Sequence, residues 1–327
     1  MNTNSDINPD QLHTPHTVKT GTHRSPGLSG TTIKIIAAIT MLIDHTGYAV
    51  IRHLPDMADN TSRTYYTYAA MRLIGRLAFP LYIFLLVEGF RHTRSRVKYA
   101  VRMLIFCPIS EIPFDLAFFK FNDMEHQNVY FTLFIGLIMM CGFELMQKKW
   151  VDTIDSKLIR AASFILPCAG FTYVALNYLP QKLPYDIPKL TLAMIVIIIC
   201  EILVPSLIAS CSGSFGSRTA LILAGDLSIL AVCAAIASLL KTDYGYAGIF
   251  AIAVMYICRQ NGIRGMMGSV AVLTALSSTS EIFAIVDVPL LYKYNGKRGI
   301  GLKFFFYFFY PVHLIILYLI ARHLGLK

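Results

Sequence analysis

The chain has 327 residues, 55% of them hydrophobic and only 15% charged, with a mean hydropathy of +0.57. A soluble domain carries roughly a quarter charged residues, so this chain lacks the polar surface to cover a water-soluble globule and reads as an integral membrane protein. Its formal net charge of +10 would suggest nucleic acid in a soluble protein, but here the basic residues sit in short loops between apolar runs, where they mark topology and no nucleic-acid partner is expected.

Residues 1–32 are rich in Thr, His, Asn, Pro and Gly and are predicted to form a disordered cytoplasmic tail. They do not read as a signal peptide, because the apolar run that follows is interrupted by Asp44 and His45 and has no small-residue cleavage site. From Ile33 onward apolar runs alternate with short polar loops. The runs 33–51, 73–90, 98–118, 129–146, 158–178, 189–210, 218–240, 245–258, 266–292 and 303–323 predict an all-α, polytopic transmembrane helical bundle of about ten spans in one domain over 33–323. The ninth run is long and is expected to be broken or re-entrant.

Short-loop lysines and arginines set the orientation. Arg91, Arg94, Arg96 and Lys98 follow the second run, Lys148, Lys149 and Lys157 the fourth, and Arg259 and Arg264 the eighth. All three loops fall on one side, which predicts a multi-pass protein of the cell (inner) membrane with a cytoplasmic N-terminus. The basic group Lys293, Lys297, Arg298 and Lys303 would fall outside if the ninth run crossed once. The seven cysteines are scattered singly and read as small apolar fillers, with neither disulfide nor metal site expected.

Several ionisable groups lie inside the runs. Asp44 and His45 come ten and eleven residues after Lys34. That places His45 about 16 Å along a helix, near the middle of a core about 30 Å thick. An acid and an imidazole at that depth are costly unless paired or facing water, and the sequence suggests that Asp44 holds His45 in one tautomer. A polar pair that merely locks packing is the bland alternative.

In the run from Arg72 to Gly89, Arg72 and Arg76 share a helix face, Glu88 lies near the other end, and Pro80 is expected to interrupt the helix between them. Two arginines suit an anionic ligand or buried carboxylates; a snorkelling arginine is the alternative for Arg72. Glu111 and Asp115 flank Pro113, which suggests a broken helix lining a cavity and offers partners for Arg72 and Arg76. Gln127 and Asn128 stand where a helix begins, where amides more often cap than bind substrate. Asp243 opens the eighth run in a turn-like DYGY, and His313 is a lone imidazole in the last run, more often a packed histidine. Glu201, Asp226, Glu281 and Asp287 sit in apolar runs without a motif. Gly-rich phosphate loops, hydrolase elbows and Cys/His clusters are absent from the sequence, so hydrolase and metalloenzyme readings lack support.

The segments KIIAAITMLIDHTGYAV around His45, RLIGRLAFPLYIFLLVEGF from Arg72, LIFCPISEIPFDLAF, QNVYFTLFIGL, DYGYAGI, YNGKRG and FFYFFYPVHL together resemble the TraX family, membrane proteins linked to N-terminal acetylation of conjugative pilin. The likeness is strong over about 30–146 and looser over about 241–323. It implies a membrane-embedded acyltransferase that takes acetyl from acetyl-CoA, and leaves open whether the acceptor is a pilin or another amine or hydroxyl.

Joined to the residues, the resemblance suggests a catalytic His45 supported by Asp44. Arg72 and Arg76 together with the basic loop Arg91, Arg94, Arg96 and Lys98 would serve donor binding or the oxyanion. Glu88, Glu111, Asp115, Gln127, Asn128, Asp243 and His313 would line a supporting polar cavity. Whether His45 acts as base or carries the acetyl group stays open. A proton-coupled transporter would also use intramembrane acids and an Asp-His pair, though no two related halves are visible.

Overall fold

The structure, a computed structural model, describes residues 27–119, 126–147, 157–182, 188–215 and 217–326. Residues 1–26 of the expected tail, and Lys148 and Lys149, lie outside the described residues. The described residues are helical throughout, without a β-strand; only isolated bridges occur, Leu28 with Tyr294 and Gln127 with Thr242.

The helices run α1 (Gly30–Ala49), α2 (Arg63–Gly75), α3 (Ala78–His92), α4 (Arg96–Phe118), α5 (Val129–Leu145), α6 (Lys157–Lys182), α7 (Lys189–Phe215), α8 (Ser217–Leu239), α9 (Gly245–Ile257) and α10 (Gly262–Leu276). A 3-10 stretch (Thr279–Val286), α11 (Asp287–Tyr292) and α12 (Lys303–His323) complete the chain. Side-chain caps fix several of the starts. Ser29, Ser62, Ser95, Asn128 and Asn261 each accept from a backbone N–H in the first turn of α1, α2, α4, α5 and α10, satisfying one of the donors a helix start leaves unpaired.

Four stretches are long and apolar enough to cross a membrane, against the ten expected: Gly30–His53, Arg63–His92, Arg218–Leu239 and Phe304–His323. Val129–Leu145, Gly245–Ile257 and Gly262–Leu276 are shorter apolar helices. Large apolar side chains such as Ile198, Ile202, Phe304, Val312 and Leu319 face outward. Water would leave such a surface costly, and lipid does not. The protein is therefore a helical membrane protein.

Two of the expected elements differ in the structure, and a third is as expected. The run 73–90 is two helices, and the break lies at Arg76–Leu77, not at Pro80. Pro80 sits in the first turn of α3, where a missing N–H costs nothing. The third run is not broken: α4 continues through Pro108 and Pro113. The ninth run does break, as expected, after Leu276, and its 3-10 return packs back against α10.

That return settles where the basic loop after α11 lies. Leu28 N–H donates to Lys293 O at 2.8 Å, Gly30 N–H to Lys297 O at 2.8 Å and Thr31 N–H to Arg298 O at 3.0 Å, so the loop clasps the start of α1. Tyr294 donates to Glu88 near the end of α3 at 3.3 Å, and Arg91 donates to Arg259 O at 3.0 Å. The loop thus shares one end of the bundle with the other described basic loops, and the apparent topological exception disappears. Residues 27–32, assigned to the tail from sequence, belong to this clasp.

From that end α1, α3, α4, α5, α9 and α10 each run about 20 Å to a second polar layer. Asp44, the Arg76 break, Glu111, Asn128, the Asp243 turn and the turn before Glu281 all meet there. Irregular backbone at such depth is tolerated where protein or a wet cavity covers it.

Candidate functional site

A cavity of about 950 Å3 runs between these two layers, walled by α1, α3, α4, α12 and the first turn of α5, with contributions from the α2–α3 break and the turns at Asp243–Tyr244 and Tyr294–Arg298. Among the described residues no lining residue comes from α6, α7 or α8, which pack on one another to the side.

At the inner end stands a chain of four charges. Arg72 Nη1 donates to Asp44 Oδ2 at 2.6 Å. Arg76 Nη2 lies 3.6 Å from Asp44 Oδ1, and Arg76 Nη1 donates to Glu281 Oε1 at 2.6 Å. Alternating signs lower the cost of four charges away from water. The Arg76 Nε–H also bonds Arg72 O at 3.1 Å, which ties the helix break to the network. Gly75 lies against Asp44, and a Cβ there would overlap the carboxylate.

Asp44 therefore does not hold His45. Neighbours on a helix point about 100° apart, and while Asp44 turns to the arginines, His45 turns to α12. The partner of His45 is His313: Nδ1 of His45 lies 2.7 Å from Nε2 of His313, with the rings stacked 5.0 Å apart. His313 Nδ1 lies 2.7 Å from Phe309 O. A carbonyl oxygen only accepts, so His313 Nδ1 carries a proton, and neutral His313 presents the Nε2 lone pair. His45 then donates from Nδ1, and its own Nε2 is left with a lone pair. His45 lines the cavity and His313 does not. The packed-histidine reading of His313 holds for its burial, but the ring also sets the tautomer of the one that faces the cavity.

The remaining sequence candidates divide. Glu88, Arg94 and Asp243 line the cavity. Arg91 and Arg96 do not: Arg91 donates to Glu88 at 2.7 Å, and Arg96 bonds Glu144 at 3.2 and 3.3 Å and crosses the Phe90 ring at 4.4 Å. Lys98 is exposed and lines no part of the cavity. Basic loops near helix ends find local carboxylates, and only Arg94 of this group, itself exposed, contributes to the cavity lining.

Glu111 and Asp115 were expected to partner the arginines. Asp44 and Glu281 take those positions instead, while Glu111 accepts from the backbone N–H of Asn128 at 3.1 Å and from its side-chain amide, and Asp115 is buried in α4. Asn128 also donates to Cys107 O at 2.9 Å and caps Tyr130 N–H at 3.0 Å, so the capping reading holds. Gln127 pairs through its backbone with Lys241 and Asp243. These residues join α5 to the α8–α9 turn rather than lining the cavity.

That turn carries left-handed backbone at Lys241 and Tyr244 (φ 50° and 62°), which costs a side-chain-bearing residue about 1 kcal/mol or more. Its result is a Tyr244 ring stacked on Phe79 at 3.7 Å in the cavity wall.

Sequence reasoning missed Lys34, Tyr294 and Arg298 as lining residues, and Tyr99 and Arg102 altogether. Burial, with the Glu88 carboxylate beside it, pushes the Tyr294 phenol up to about 12, so its hydroxyl stays a donor to Glu88. The signal for Glu281 was its charge inside an apolar run, which demands a cation. Among the described residues no group of three or more His, Cys, Asp or Glu could hold a metal ion.

Compared with known proteins, the sequence matches the family described as TraX protein over residues 29–224 and 187–321. It is 31% identical over 199 residues to the probable fimbrial assembly protein FimC, serogroup H1, of Dichelobacter nodosus, covering 54% of this chain and 74% of that relative. No solved structure matches.

Proposed function

The chain belongs to the TraX family, and on that footing we propose that it is a membrane acetyltransferase that moves acetyl from acetyl-CoA to an amine or hydroxyl. The fimbrial-assembly name of its relative favours a pilin-like N-terminal amine as acceptor. The observation that carries the reading is one cavity joining a cationic end to the His45–His313 pair, with an unprotonated Nε2 on the ring that lines it.

Acetyl-CoA enters from the basic end, which by the positive-inside rule is cytoplasmic, and its thioester lies near the inner charge layer. The acceptor nitrogen or oxygen attacks the acetyl carbonyl while His45 Nε2 takes its proton. His313 stabilises the imidazolium through its Nε2 and is in turn held by Phe309 O. Arg72 takes the developing oxyanion, because its side chain is 29% exposed against 14% for Arg76. The carbon–sulfur bond then breaks, and the coenzyme A thiolate recovers the proton from His45. Asp44 acts on Arg72 and not on the imidazole.

Purified full-length protein tests the reading by its thermal transition. Coenzyme A at about 100 times its Kd should stabilise the fold by about 2.7 kcal/mol. A proton-coupled carrier would use the same intramembrane acids and give no such response; a transition unmoved by saturating coenzyme A removes the acetyltransferase reading.

A further inference from the structure

The cavity end opposite the imidazoles is lined by Lys34, Arg94, Arg102 and Arg298. They come from four separate segments: the second turn of α1, the α3–α4 loop, the second turn of α4 and the loop after α11. Among the described residues none of the four forms an ion pair. Among the described residues lining this end, the acid Glu88 already has its oxygens engaged by Arg91 and Tyr294. Arg102 Nε–H is buried with no acceptor, although a buried donor normally finds one. Like charges lining one end of a cavity, the half-buried Lys34 and Arg102 among them, with a guanidinium donor left orphaned, favour an anion there.

The frame around them is rigid. Besides the three backbone bonds that hold the loop to α1, Thr31 Oγ–H reaches Arg298 O at 2.9 Å and Ile300 O at 2.7 Å. Asn295 donates to Leu28 O and Gly27 O. Gly296 and Gly299 take the left-handed conformations (φ 72° and 77°) that bend the loop over the cavity, and a Cβ on Gly299 would strike Ser29 and Thr31. A clasp of this kind orders the loop before any ligand arrives.

We propose that this end is a phosphate cradle that holds the pyrophosphate of the nucleotide half of the coenzyme A thioester, an inference that rests on the acetyl-transfer reading. Arginine forks suit paired phosphate oxygens, and Arg102 Nε–H gains the acceptor it lacks. Lys34 and His45 are eleven residues apart on α1, so the cradle and the base stand about 16 Å apart. Between them Met41, Tyr82, Leu86 and Met103 give the uncharged arm an apolar wall.

The test titrates coenzyme A, and pantetheine as its phosphate-free control, into full-length protein in nanodiscs of zwitterionic lipid. Lys34→Gln, Arg102→Gln and Arg298→Gln are each expected to weaken coenzyme A by about tenfold, to flatten its salt dependence and to leave pantetheine unchanged. Arg298→Lys, which keeps the charge and the backbone clasp, should fall between wild type and Arg298→Gln and guards against misfolding. Coenzyme A affinity within twofold of wild type in all three Gln variants overturns the cradle while the acetyl-transfer reading stands. Wild-type protein that binds no coenzyme A sinks the reading beneath it. Loss of anionic lipid co-purified with the variants before reconstitution, at constant coenzyme A affinity, assigns the cations to a headgroup and overturns the proposal as well.

Discussion

At Gly75, one hydrogen atom decides whether Asp44 can sit where it does. Gly75→Ala drives a methyl into the Asp44 carboxylate and should cost the Arg72 bond, lowering the thermal transition and acetyl transfer together. Arg76→Gln strands Glu281, whose side chain is fully buried. Removing one partner of a buried pair costs about 3–5 kcal/mol, and Glu281→Gln in the same chain should restore part of that loss in a denaturation series. His313 acts through His45, so His313→Ala should lower kcat by at least about tenfold with the KM for acetyl-CoA unchanged, and His313→Gln, whose amide oxygen can accept from His45, should recover part of kcat. Equal loss in both variants, or a KM effect alone, would reduce His313 to packing. Asp44, His45, Arg72 and Arg76 stood out in sequence because charge inside an apolar run must be satisfied. Their pairing did not, because Glu281 and His313 lie more than two hundred residues further along the chain, and adjacency of Asp44 and His45 in sequence suggested a contact that helix geometry forbids.

Helices α1, α4, α5, α9 and α12 were legible as apolar runs to within a few residues, because period and length survive any packing. The break at Arg76 was not, since nothing local marks it: Pro80, the obvious breaker, fits the first turn of α3, and the chain bends where Arg76 must reach both Asp44 and Glu281. Conversely, Pro108 and Pro113 sit inside an unbroken α4. Close approach of helices depends on small residues that the hydrophobic pattern hides. Gly136 of α5 meets Ile252 of α9 with no room for a Cβ. Gly136→Leu should therefore push the two helices apart and cost about 1–3 kcal/mol, read as a fall in the thermal transition. Gly301→Ala, with nothing within 4 Å, should leave it unmoved.

Across the whole molecule, composition alone separated the membrane class, and the loop charges left the side of Lys293–Arg298 open, because it turned on whether the ninth run crossed once or folded back. Its fold-back brings that loop to the same end as Arg91 and Arg259. An impermeant thiol reagent should accordingly label Lys297→Cys and Arg264→Cys from the same face of sealed vesicles made with a variant lacking native reactive cysteines; opposite faces would refute the fold-back. The cavity joins this end to the imidazole pair, and transfer of acetyl through it is the centre of the account. Purified protein should pass labelled acetyl from acetyl-CoA to a peptide with a free N-terminal amine, and His45→Ala should lose that transfer by at least about a hundredfold while still binding coenzyme A. Transfer retained in His45→Ala at equal folded yield would contradict the account.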